Sequence, residues 1–270
     1  MAGIAFSRVV TLIRNDMKTL SLLRFVAVAG SIAAASVSFA QMGPPGSPAG
    51  VGPSLAQLFG KATSFSAECD LRTLDKDQNE KMSTPMQFAF LEGKMRVEID
   101  MSQIKGKDVT PNASEMMKQM GMDRVISISL PDSKTKYTLF PTVQSSVKTE
   151  LSEEDAVALD KMPKIVKTPL GKETIDGHPC VKNKVVITDD KGGSNEFTTW
   201  NATDLKDFPV QVQNTENGET TVMLFKNIKL SKPDAAQFAV PADYKQYDSL
   251  PAFMQAMMSR MMPDAVPKQK

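Results

Sequence analysis

Between residues 64 and 73 every second side chain is apolar: Phe65, Ala67, Cys69 and Leu71 alternate with Ser66, Glu68, Asp70 and Arg72. Successive side chains of a strand leave opposite faces, so a period of two marks a half-buried strand. Met86, Phe88 and Phe90 continue the alternation. Beyond Gly93-Lys94, so do Met95, Val97, Ile99 and Met101, set against Arg96, Glu98 and Asp100. These residues predict an antiparallel hairpin with one apolar face. Further strands are expected over 125–130 and 136–140, around the turn Pro131-Asp132-Ser133. Others are expected over 181–188 and 195–202, and over 209–214 and 219–230, the last pair joined by the hairpin dipeptide Asn217-Gly218. In a sheet of this kind the apolar phase collects on one surface. Phe65, Leu71, Phe88 and Phe90 are expected there with Val97, Ile99, Ile126 and Ile128.

Helical spacing interrupts the strands. Residues 53–60 place Leu55, Leu58 and Phe59 on one helical face. Asn112 and Glu115 stand at capping-box spacing ahead of Met116, Met117 and Met120, as do Ser152 and Asp155 ahead of Val157 and Leu159. Residues 250–262 form the last helix. No internal repeat occurs. The expected fold is mainly β (α+β): one meandering antiparallel sheet over residues 54–248, with short helices covering its apolar face and a Met-rich C-terminal helix and tail over 249–270.

The first forty residues read as an address. Lys18 and Arg24 precede the apolar run 25–35, and Ser38-Phe39-Ala40 places small residues at −3 and −1 of a cleavage site. That is the layout of a secretory signal peptide, and it starts more naturally at Met17 than at Met1. The run is shorter than the ~20 residues a spanning helix needs. Cleavage after Ala40 would make the protein periplasmic or secreted, with no stable membrane span. The absence of a Cys near that site argues against a lipid anchor. Residues 41–53, QMGPPGSPAGVGP, are a flexible linker. Residues 1–40 hold four of the 32 basic and one of the 31 acidic residues, which leaves 28 and 30, a formal −2. A chain so balanced has no bulk electrostatic reason to bind nucleic acid or anionic lipid.

In order, the chain runs from LEGKMRVEIDM through a Met-rich insertion to SLPDSKTKYTLFP. GKETIDGHPCVKNKVVIT follows, then a strand ending in Trp200 and a closing FAVPADY. This order of parts resembles an uncharacterised family of bacterial extracytoplasmic domains related to the lipoprotein carriers LolA and LolB. The resemblance covers roughly residues 54–248. It implies an unclosed, curved antiparallel half-barrel whose concave apolar face is lidded by helices and shelters acyl chains. No ligand-contact residue of the carriers maps onto this chain.

The chemistry-bearing residues are few. The only His, His178, lies between Gly177 and Pro179 and reads as a turn residue. G-x-S-x-G, P-loop, H-E-x-x-H and G-x-G-x-x-G motifs do not occur. Asp75, Asp77 and Asn79 have the first spacings of a calcium loop, but Glu80 stands where its Gly belongs and Met86 where its bidentate Glu belongs. No catalytic residue, cofactor or metal is therefore expected. Cys69 and Cys180 are a candidate disulfide. An even count in an oxidising compartment favours a bridge, whereas strand parity puts Cys69 with Leu71 and Cys180 with Lys182.

Eighteen Met residues are the anomaly. One cluster is Met116, Met117, Met120 and Met122. The other is Met254, Met257, Met258, Met261 and Met262, which joins Leu250 and Phe253 in one helical stripe. Three readings stand: core-facing helix surface, an adaptable thioether wall over an apolar pocket, or soft ligands for Cu(I). The final helix is expected to be either a movable lid or plain core. The preferred function is a non-enzymatic, carrier-like protein of the cell envelope that holds a lipid, a lipoprotein acyl chain or another apolar molecule. The Met residues named above, apart from Met122 and Met262, would join Phe253 and the sheet residues in its pocket. The alternatives are a Met-based copper protein and an envelope protein-interaction domain without a small ligand. No sequence feature sets the oligomeric state.

Overall fold

The computed structural model describes residues 53–60, 62–107, 109, 112–151, 164–188 and 192–261. The expected signal peptide, the linker as far as Gly52, the helix expected from Ser152 and the tail from Met262 lie outside the described residues. The strands are β1 (Ser64–Leu74), β2 (Glu80–Leu91), β3 (Lys94–Asp100), β4 (Lys105–Gly106), β5 (Arg124–Leu130), β6 (Thr135–Phe140) and β7 (Ser145–Glu150). They continue with β8 (Lys164–Ile175), β9 (His178–Thr188), β10 (Ser194–Ala202), β11 (Phe208–Glu216), β12 (Glu219–Lys229) and β13 (Lys245–Tyr247). The described α-helices are α1 (Pro53–Leu58), α2 (Ala113–Gln119) and α3 (Leu250–Met261). No described helix is long and apolar enough to cross a membrane.

All thirteen described strands form one sheet, in the order β13-β7-β6-β5-β3-β2-β1-β12-β11-β10-β9-β8, with β4 on β2. Two antiparallel meanders meet where β1 pairs β12, and β13 adds to β7 in parallel. The sheet is curved and unclosed. β7 and β8 are ten strand spacings apart, about 48 Å if the sheet were flat. The chain from Leu151 to Lys164 reaches at most about 45 Å fully extended. With ten antiparallel pairings between them, β7 and β8 also run the same way, so that connection must cross strand length as well. Only a curled sheet brings its ends within reach.

Register confirms one apolar face through the centre. Phe65 faces Phe90, and Ala67 faces Phe88. Phe88 faces Val97, and Met86 faces Ile99. This inner face is covered by α1, whose Leu55 and Leu58, with the following Phe59, are buried in the main core. At the β5–β7 end the same face is covered by α2 and α3. There Met120, Met122, Val125, Phe140, Val147, Phe253 and Met257 form a second core. Gly121 makes that contact close: it has φ +68°, and a Cβ on it would fall 2.2 Å from Val143. Asn112 does not cap α2 through its side chain, so the expected capping box is not formed.

Ile126 and Ile128 depart from expectation. Ile99 pairs Val125, and Val97 pairs Ser127, so Ile126 and Ile128 emerge on the outer face. There they join Ala89, Leu91, Leu139 and Phe238 in a third core. The cause is the segment after β12. A 3-10 turn, Ala235–Phe238, capped by Asp234 accepting from the Ala236 amide at 2.9 Å, lays Phe238 over the outer face. The sheet is therefore buried on both sides at β5, and the apolar phase of that strand faces the strap rather than the helices.

Candidate functional site

The concave face is mostly filled by the protein's own side chains. Phe59 alone stands within 4.6–6.0 Å, centroid to centroid, of Phe65, Phe88, Phe90, Phe208 and Phe225. Phe65, Leu71, Phe88, Phe90, Val97 and Ile99 come together as expected, yet as packed core. An opening lies further along, toward the far end of the inner face, beside α1. It is a cavity of about 360 Å³ walled by Leu55, Phe197, Val212, Asn214, Glu216, Asn217, Glu219, Thr221 and Met223.

The geometry of this cavity follows from one hairpin. Val212 pairs Met223, Asn214 pairs Thr221 and Glu216 pairs Glu219, and all six share the inner face. The rungs grade outward from buried Val212 and Met223, through half-buried Asn214 and Thr221, to exposed Glu216 and Glu219. Four residues separate the first rung from the last, about 13 Å along the strand. The tight turn is supplied by Asn217 (φ 52°) and Gly218 (φ 80°), as a two-residue hairpin demands. Glu219 is ion-paired to Lys81. Sequence reasoning located this hairpin but not the cavity. The available clue was the gradation from Val and Met to Asn and Thr to Glu along one parity on both arms of the turn.

Neither Met cluster borders the cavity. The structure brings the two together instead: Met120, Met122 and Met257 are buried in one core, with Met117 and Met254 partly buried against it. Phe253 is fully buried and stacks on Phe140 at 4.1 Å. The final helix is thus docked on the sheet. Met116 and Met258 are exposed, at 50% and 60%, and the side chain of Met261 lies outside the described residues.

The polar candidates are structural. Asp75 accepts the Asp77 and Asn79 amides at 2.9 and 2.8 Å, so its carboxylate closes a turn. Those bonds, the Asn79 amide above all, hold its pKa below the usual value. Cys69 and Cys180 are both free thiols, which corrects the candidate disulfide. Four strand spacings separate β1 from β9. Both cysteines are nonetheless buried in the main core, because past the bulge at Trp200/Asn201 the inner-face Phe208 pairs Ala202, which pairs Cys180. Burial pushes both thiols up, which makes them poor nucleophiles. His178 Nδ1 meets Asp204 at 2.8 Å, while the Cys180 thiol donates to the His178 carbonyl rather than to its ring. Nearby, Glu173 accepts from the Trp200 indole at 2.7 Å and from Lys182 at 3.0 Å. These contacts tie β8, β9 and β10 together.

No family model matches the chain, and no curated protein matches it. Several solved structures are similar to it, all at low identity. A LolA superfamily protein from Nitrosomonas europaea is 11% identical, with 69% of this chain and 94% of that chain covered at a TM-score of 0.35. LprF from Mycobacterium bovis is 16% identical, with 71% and 96% covered at 0.37. The lipoprotein LppX from Mycobacterium tuberculosis is 14% identical, with 65% and 93% covered at 0.35.

Proposed function

We propose that this protein is a non-enzymatic binding protein of the cell envelope that holds the apolar part of a small molecule or lipid in the cavity beside α1. A lipoprotein acyl chain belongs to the same class of occupant. The observation that carries the reading is the cavity itself. Leu55, Phe197, Val212 and Met223 present apolar surface around about 360 Å³, at the size where pre-formed small-molecule sites begin. The signal-peptide layout supports export. The cavity offers a place to bind, and neither thiol nor His178 is among the residues that wall it. The copper reading is weaker, because the buried thioethers of both clusters pack against Phe140 and Phe253.

Native mass spectrometry of the protein purified from its own host tests this. We expect a mature chain starting at Gln41 that carries an apolar adduct. Thr221 sits half-buried in mid-cavity, so Thr221→Trp should fill the space, fold like wild type and lose the adduct. No adduct on the wild type, or the same adduct on a folded Thr221→Trp, would overturn the reading. A copper adduct would replace it with the metal-binding one.

A further inference from the structure

The mouth of the cavity is built against local electrostatics. Glu216 and Glu219 face each other directly across a two-residue turn, on the same side of the sheet. Like charges so placed destabilise a hairpin. Lys81 answers one of them, Glu219. Glu216 has no ion pair among the described residues. Lys76 lies beside the turn, its Cβ 3.9 Å from where a Cβ on Gly218 would stand, and pairs with neither carboxylate. No cationic side chain lines the cavity. From floor to mouth the wall therefore runs apolar, then hydrogen-bonding, then anionic, over about 13 Å of strand.

We infer that the cavity takes an amphiphile with a cationic head, an amine or quaternary ammonium, whose tail lies against Val212, Met223, Phe197 and Leu55 and whose charge sits at Glu216. This rests on the proposed binding function and adds the chemical class of the ligand. The head relieves the repulsion between the two carboxylates. Asn214 and Thr221 supply donors and acceptors to the polar neck below it. An anionic head at the same depth meets Glu216 unscreened. Attraction of one sign and repulsion of the other act in opposite directions, so together they separate the two classes by more than a single surface ion pair would.

Three single-tailed amphiphiles of equal chain length test the assignment: decyltrimethylammonium, decanoate and decyl maltoside. Each is titrated below its micelle concentration, at low ionic strength where surface charge is least screened. Shifts of the Asn214 and Thr221 backbone amides in NMR spectra locate the binding. We expect decyltrimethylammonium to bind at least about fivefold more tightly than decanoate. In Glu216→Gln, which leaves the Lys81–Glu219 pair in place, that ratio should fall below about twofold. Equal affinities, a preference for decanoate, or a preference that survives Glu216→Gln would overturn the cationic-head assignment while leaving the cavity an amphiphile site. Binding that shifts other amides would overturn it too. If none of the three binds, decyl maltoside included, the binding function itself falls and the head assignment with it.

Discussion

Phe59→Ala tests whether the concave face is a filled core or a waiting pocket. Phe59 is 2% exposed and touches five other rings, contributed by four different strands. Truncating a buried Phe to Ala costs about 3–5 kcal/mol, through lost transfer energy and the cavity left behind. The upper part of that range applies, because the five rings are held by β1, β2, β11 and β12 and cannot collapse independently. For a domain of this size, each kcal/mol lowers Tm by about 2–4 °C. A drop of roughly 8–20 °C is therefore expected, with urea melts giving the same free energy. A second readout separates packing from binding. Phe59 and Leu55 belong to the same short segment, and Leu55 already walls the cavity. The hole left by the ring should merge with the existing space, and a dry apolar hole binds apolar guests. Affinity for an apolar dye should then rise even as stability falls. A loss below about 1 kcal/mol would show that α1 is not docked as described and that the aromatic hub is not the core.

Charge insertion distinguishes the two faces from a sheet wet on one side. Phe90→Asp on the inner face and Ile128→Asp on the outer face should each destabilise the fold by several kcal/mol, because each buries an unpaired carboxylate; an Ile128→Asp protein that melts like wild type would mean the strap carrying Phe238 does not cover that face. Thiol titration should give no rapid reaction in native protein and two thiols per chain after unfolding without reductant, whereas none after unfolding would reveal a bridge between Cys69 and Cys180. Acid should loosen the β8–β10 edge first. The carboxylates of Asp204 and Glu173 are held below their usual pKa, by His178 and by the Trp200 indole respectively. Groups depressed on folding stabilise fully above their unfolded values, about 3.9 for Asp and 4.3 for Glu, and that contribution is lost as pH falls through the lower folded values. Fluorescence of Trp200, the single Trp, should report the change below about pH 4, and Glu173→Gln should flatten it; an unchanged acid profile in that variant would remove the tie.

The strands most legible from sequence are those whose two faces meet different surroundings. β1 and β3 read clearly because Glu68, Asp70, Arg96 and Glu98 stay outside while their neighbours are buried. β5 misled for the opposite reason. In Val125-Ile126-Ser127-Ile128-Ser129 the stronger apolar phase is Ile126 and Ile128, but on the inner face Ser127 and Ser129 stand opposite Val97 and Met95. The outer phase is apolar because Phe238, more than a hundred residues away, covers it. Nothing local to β5 encodes that. β7 and β8 escaped notice altogether. β7 begins Ser145-Ser146 and carries one apolar side chain, and β8 is exposed along nearly its whole length. In β8, Lys164, Lys167, Lys172 and Pro169 suit an unpaired edge, where charge and a missing donor discourage pairing with a second chain, but they erase the alternation by which strands are recognised.

The same contrast explains why the site was displaced from where its residues were sought. Apolar alternation identifies surface that must leave water, and it is silent about whether protein or ligand covers that surface. Here Leu55, Leu58 and Phe59 of the α1 segment occupy the richest part of the inner face, and α3 with Phe253 occupies the next. What remains open is the stretch where the apolar phase is already giving way to Asn214, Thr221 and the two carboxylates. A strongly apolar patch attracts the chain's own helices and closes. A patch that grades from apolar to charged cannot be capped by an apolar helix without burying Glu216 and Glu219, so it stays accessible. On the proposed function, the binding end of this sheet is the end where the alternation weakens, and Glu216→Leu with Glu219→Leu should favour closure of the cavity rather than a larger one.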